Sequence, residues 1–218
     1  MARDVVCISY ASGAGGEQVG RLVAERLGFL YVDEEIVARA AEQAGVDPGA
    51  VADEERRKSM FENLMEAMAH GGGATGAAPV FADEVPGEHV REYIRDAVQE
   101  VAEHGNAVIA AHAASYAVRS GTRQLRVLVT APRETRTARL ALAQGLDEAE
   151  AGKILKRSDA GRADYLKRFY GVGEELPTHY DLVLNSETIS IEDAAALVVE
   201  AAVDRPSSET SSVGARSR

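Results

Sequence analysis

Five short apolar runs, "VVCIS", "FLYVD", "AVIA", "LRVLVT" and "DLVLN", recur along the chain without the strict apolar–polar alternation of a half-exposed strand. Strands of this kind are buried on both faces, which requires a parallel sheet held between two layers of helix. The intervening segments supply those helices. Val19, Leu22, Val23 and Leu27 recur at helical spacing and Gly28 closes the pattern. Helical patterns also cover about 34–44, a stretch opened by Asp47-Pro48, then 88–104, 132–143, 147–169 and 191–203, with Pro132 suited to a first turn. The expected fold is therefore α/β with three layers: a five-stranded parallel sheet with helices on both faces. Ligands of such sheets sit beyond the carboxyl ends of the strands. Here that rim comprises 10–18, Asp33, 111–114, Ala131 and the residues after Asn185.

A chain of 218 residues can bury one full core, and residues 1–203 are expected to form a single domain. The end, "DRPSSETSSVGARSR", has no apolar periodicity, so 204–218 is expected to be a disordered tail. A net charge of -11 argues against nucleic acid and anionic membranes as partners, and any anionic ligand needs a local basic pocket. The single cysteine, Cys7, falls in a strand and has no intrachain partner, which fits a reducing compartment. The N-terminus lacks a secretory apolar core, and "AVIAAHAASYAV" is too short and polar to span a bilayer. A cytoplasmic protein is expected. Met60, Phe61, Leu64, Met65 and Met68 form an apolar stripe that suits packing, a homodimer face or a moving subdomain, followed by a glycine-rich break, "HGGGATGAAP". No Cys or His spacing marks a metal site.

The first strand runs into "YASGAGGEQVG". Ser12, Gly13, Ala14, Gly15 and Gly16, followed by Gln18 on the helix, can turn backbone N–H groups onto a phosphate, helped by the helix N-terminus. Against G-x-x-x-x-G-K-S/T, however, Tyr10 stands at the first glycine, Gly16 at the lysine and Glu17 at the hydroxyl. A carboxylate facing a triphosphate at close range would suffer roughly 3–4 kcal/mol of repulsion per charge pair, so Glu17 must point away or act through a metal. Restoring Lys at position 16 and Thr at 17 is expected to raise triphosphate affinity. Two other uses remain open: a tight turn without a ligand, and a dinucleotide site, since Asp33 lies twenty residues beyond Gly13, although Gln18 replaces the third glycine of that fingerprint.

Residues 153–168 carry Lys153, Lys156, Arg157, Arg162, Lys167 and Arg168 against Asp159 and Asp164, a net +4 from six bases and two acids. Like charges at i,i+4, such as Lys153 and Arg157, are mildly destabilising on a bare helix and point to an anionic ligand.

Four stretches, "ISYASGAGGEQVGRLVAERLGFLYVDEEIVARAAEQAG", "VLVTAPRETRTARL", "KRSDAGRADYLKRFYGV" and "YDLVLNSETISIEDAAALV", resemble in order the cytidylate-kinase-like branch of the P-loop nucleoside monophosphate kinases. The resemblance implies ATP with Mg2+ as donor and a pyrimidine nucleoside monophosphate as acceptor. In that branch the loop lysine is often missing, whereas a basic residue is usual where Glu17 stands. Asp33 and Arg39 match an acceptor-binding element. His112, in Ala111-His112-Ala113, stands where the acceptor arginine is usual, and it offers no planar fork for phosphate. A mobile acceptor region at about 46–104 and a lid at about 147–171 are implied, with Asp159 and Arg162 in the lid pattern. Arg162 would stabilise the transferring phosphoryl group, with Lys156 and Arg157 adding charge one turn earlier. Arg136 and Arg139 match arginines near the donor nucleotide. A protein that keeps this fold as a nucleotide sensor or scaffold without turnover is the alternative, carried by His112 and Glu17.

Overall fold

The computed structural model describes residues 4–33, 88–111, 113–118 and 123–203. The elements are β1 (Val5–Tyr10), α1 (Gly16–Leu27), β2 (Leu30–Asp33), α2 (Glu88–His104), β3 (Ala107–Ala110), α3 (Ala114–Ala117), β4 (Gln124–Thr130), α4 (Arg133–Gln144), α5 (Glu148–Tyr170), a 3-10 turn (Pro177–His179), β5 (Leu182–Asn185) and α6 (Ile191–Ala202). All five strands are parallel, in the order β2-β3-β1-β4-β5. This is the three-layer α/β sheet that the apolar runs imply, and the P-loop type of that sheet is what the family resemblance implies. The described elements lie within one residue of their expected bounds. The exceptions are α3 and the 3-10 turn, both too short to show a period, and Pro132, which caps α4 instead of lying inside its first turn. The helices expected at 34–44 and from Asp47, the apolar stripe, the glycine-rich break and the tail 204–218 lie outside the described residues.

Central β1 explains why its run does not alternate, since all six of its residues are buried. Val6, Ile8 and Tyr10 belong to the core under α1 and α6, together with Val19, Val23, Ala195 and Val198. Val5 and Cys7 face the opposite core, with Ile109 and with Val98 and Val101 of α2. Burial pushes the Cys7 thiol up to about 12 from 9.0, against the smaller opposing pull of Arg126, so it is an inert packing group. Gly20 lets α1 lie close on the sheet, because a Cβ there would meet Tyr31 Cε2 at 3.0 Å and Ala110 Cβ at 3.1 Å.

Helix ends are set by local chemistry. The Asp147 side chain accepts from the Glu150 N–H at 2.8 Å to start α5, and Gly171, at φ 67°, ends it by donating to the Leu166 carbonyl. The Ser190 hydroxyl accepts from the Asp193 N–H at 3.1 Å to start α6. Among the described residues no helix is long and apolar enough to cross a membrane.

Candidate functional site

Beyond Tyr10 the chain leaves the sheet in a loop that closes at Gly16, the first residue of α1. Gly13 (φ 77°) and Gly15 (φ 83°) adopt the left-handed backbone that other residues resist. A Cβ on Gly13 would also lie 2.9 Å from the Arg136 carbonyl oxygen, so the loop rests directly on the start of α4. Its outward carbonyls are fastened. That of Ser12 accepts from Arg136 Nη1 at 3.2 Å, and that of Ala14 from the Ser186 hydroxyl at 2.6 Å. Among the described residues no backbone acceptor takes the N–H groups of Gly13, Gly15 or Gly16. Those donors, at the start of a twelve-residue helix, form an arrangement able to receive an anion. Gln18 is exposed on the first turn of α1.

The departures at 10, 16 and 17 prove to be one feature. A Cβ on Gly16 would run into Tyr10 Cβ and Cγ and lie 2.6 Å from its Cδ1. The tyrosine at the pattern's first glycine thus fills the space where a side chain at 16 would begin. Its ring is buried, and its hydroxyl donates to Glu17 Oε1 at 3.0 Å. Glu17 is held by that bond, a partner the sequence did not suggest. This geometry corrects the expectation for position 16: with Tyr10 in place no lysine fits there, and its affinity gain is blocked by a steric clash.

The segment expected as a lid is α5, and three of its side chains within about one turn meet the loop region. The Ser158 and Ser12 hydroxyls share a hydrogen bond at 2.6 Å. Asp159 takes both Arg136 terminal nitrogens, each at 2.9 Å. Arg162 Nη1 donates to the Tyr10 carbonyl at 3.0 Å, while its Nε donates at 3.2 Å to Glu175, which also accepts from Nη2. The Arg162 side chain is only 8% exposed, whereas Lys156 and Arg157 are exposed. Arg136 is buried and its Nε donates to the Ala131 carbonyl at 3.1 Å, so this guanidinium ties the residue after β4, the loop and α5 together. Arg139 binds Ser186 through the hydroxyl at 2.9 Å and the carbonyl at 2.7 Å.

Behind Arg162 lies a polar and aromatic cluster that sequence reasoning missed. The Tyr180 hydroxyl donates to Glu175, and Tyr116 sits edge-on to Tyr180 with centroids 6.0 Å apart. The Tyr116 hydroxyl and His179 Nδ1 share a hydrogen bond at 2.9 Å. Burial, then the bond to Glu175, pushes the Tyr180 phenol far up, so it stays a donor. Glu175 lies five residues past the helix end, where no periodicity could have flagged it.

On the other side of the rim Asp33 ends β2, buried, and accepts from Arg21 Nη2 at 3.1 Å. Arg21 is 59% exposed and lies 4.6 Å over the Tyr31 ring. The Tyr31 hydroxyl is buried with no hydrogen-bond partner among the described residues, and burial, with the Asp33 charge second, raises its pKa. Arg39 and His112 lie outside the described residues. Among the described residues no three His, Cys, Asp or Glu side chains converge as metal ligands.

The sequence profile described as the cytidylate kinase-like family matches residues 5–188. An uncharacterized protein from Eubacterium ventriosum is 15% identical, with 92% of this chain and 98% of that one covered and a TM-score of 0.66, a likeness of fold. Looser likenesses include a shikimate kinase from Bacteroides thetaiotaomicron (16% identity, 90% and 97% covered, TM-score 0.48) and TT1252 from Thermus thermophilus (20%, 94% and 100%, 0.49). No curated protein matches the chain.

Proposed function

The chain belongs to the cytidylate kinase-like family, and from that premise we propose that it binds a nucleoside triphosphate, ATP with Mg2+, on the loop and transfers the terminal phosphoryl group to a nucleoside monophosphate, a pyrimidine one by the family likeness. The observation that carries this is the meeting of two parts. Glycine-shaped backbone whose N–H groups at Gly13, Gly15 and Gly16 take no backbone acceptor among the described residues opens α1, and the buried guanidinium of Arg162 reaches the carbonyl of Tyr10, the strand residue from which that loop departs.

In-line phosphoryl transfer asks the protein for positioning and charge neutralisation more than for covalent chemistry. Ser12, Gly13, Gly15 and Gly16 would hold phosphate oxygens through backbone N–H groups, whereas Ala14, also expected there, spends its N–H on the Ala11 carbonyl at 2.9 Å and shapes the turn instead. Arg162 would face the charge that develops on the transferred group, with Lys156 and Arg157 raising the local potential. Arg136 and Asp159 would act through the loop, since their bonds fix the Ser12 carbonyl and the position of α5. Asp33, with Arg39 and His112, would serve the acceptor. Glu17 is tied to Tyr10, so Mg2+ fits here as an ion arriving with the triphosphate and held largely by its oxygens, where it would screen phosphate charge.

Calorimetry with ATP and Mg2+, followed by a turnover assay of the same sample against CMP, UMP and dCMP, tests this. Binding and transfer to at least one acceptor are expected, and no ATP binding would overturn the proposal. Binding without turnover to any monophosphate would favour the scaffold reading, which the masking of Arg162 by Glu175 supports. Tight NADH binding in place of ATP would favour a dinucleotide enzyme, a fold use in which α5 docked on the loop has no role.

A further inference from the structure

We propose that the phosphate-directed charge of this loop has moved out of the loop: Arg162 of α5 takes the place of the missing lysine, and Tyr10 closes the space the lysine stem would occupy. This rests on the nucleotide-binding reading above and assigns the residue that supplies ground-state affinity in that site.

Three observations lead there. The first is steric: with Tyr10 present, position 16 can carry no side chain, so the cation must come from elsewhere. The second is placement. The Arg162 guanidinium, its side chain buried, lies 3.0 Å from the carbonyl of Tyr10, where β1 ends and the loop departs. The third is fixation. The Ser12–Ser158 and Arg136–Asp159 bonds pin the preceding turn of α5 to the loop and to α4, and hold that position in register.

Glu175 completes the argument. Its two oxygens engage the Arg162 fork in the side-on manner open to two phosphate oxygens. An arriving phosphate would exchange one oxyanion for another on the same fork, so no buried cation is left unpaired at any stage. The charge is thus kept ready by an internal stand-in, and Tyr180 offers the released carboxylate a hydrogen bond to fall back on.

The test is calorimetry with ATP and Mg2+ on the full chain. Arg162→Ala should weaken binding about 10- to 150-fold, the worth of a charge-assisted contact of about 1.5–3 kcal/mol. Because that change strands Glu175, the pair variant Arg162→Met with Glu175→Gln is measured beside it and should show the same loss. An ion pair that serves only the fold would leave the pair variant binding ATP as wild type does, and that result would overturn the proposal. The decisive arm moves the charge back. Tyr10→Gly with Gly16→Lys, placed in the Arg162→Met/Glu175→Gln background, should recover at least tenfold of the loss, whereas Gly16→Lys alone should recover none. Failure of a folded swap variant to recover affinity would also overturn it. Wild-type protein that binds no ATP would sink the nucleotide reading itself, a result distinct from equal binding by wild type and variants, which sinks only the charge transfer.

Discussion

The two sides of the rim are built differently. On the loop side, residues far apart in sequence meet: Ser12 with Ser158, Tyr10 with Arg162, and Ala14 with Ser186, so that β1, α4, α5 and the turn after β5 converge on six residues. On the β2 side, Asp33 is held by Arg21, twelve residues earlier and mostly exposed. The loop side is a shared joint in which each contact braces the others. The Arg21–Asp33 contact of the β2 side is local in sequence. A joint of the first kind transmits damage to stability, while a local pair can change with the ligand and leave the fold alone.

The largest effect should come from cutting the joint at its centre. Arg136→Met strips the loop, the residue after β4 and α5 of a common partner and leaves Asp159 and two carbonyls unsatisfied, for an expected loss of about 3–5 kcal/mol in urea unfolding. A loss under about 1 kcal/mol would mean that the loop side is no better braced than the β2 side. A smaller effect, about 2–3 kcal/mol, is expected for Gly16→Ala, because a single methyl must displace Tyr10. Adding Tyr10→Gly should bring part of that loss back; two independent, additive losses would show that the positions are not coupled. The smallest change in stability should follow Asp33→Asn, below about 1 kcal/mol, since an exposed partner contributes little. The same variant should raise the KM for the monophosphate more than that for ATP. An equal change in both would remove Asp33 from the acceptor side.

Much of this architecture is legible in the chain. Runs such as "VVCIS" and "AVIA" mark central strands because burial on both faces leaves no polar position, and Gly28 and Asp147 mark helix ends through local geometry. Arg162 and Asp159 stand out as part of a helical segment, 153–168, that carries a net +4 in an acidic chain. The joint itself is not legible. A linear pattern scores positions 10, 16 and 17 separately, so one substitution of volume for charge looks like three independent failures. Glu175 and Tyr180 carry no periodic signature, and Ser12 gives no sign that its hydroxyl faces a helix more than a hundred residues away.

The Tyr10–Gly16 contact also bears on history. A lineage regaining a lysine at position 16 one substitution at a time has two routes, and both pass through a damaged protein. Acquiring the lysine first forces it against the tyrosine. Losing the tyrosine first empties a buried site, a change of about 3–5 kcal/mol for an aromatic ring in a protein whose whole stability is typically about 5–15. The loop therefore behaves as a ratchet. Once the ring had settled into the space, selection could tune Arg162 and Glu175 around it far more readily than it could return, and descendants would be expected to keep or lose Tyr10 and Gly16 together.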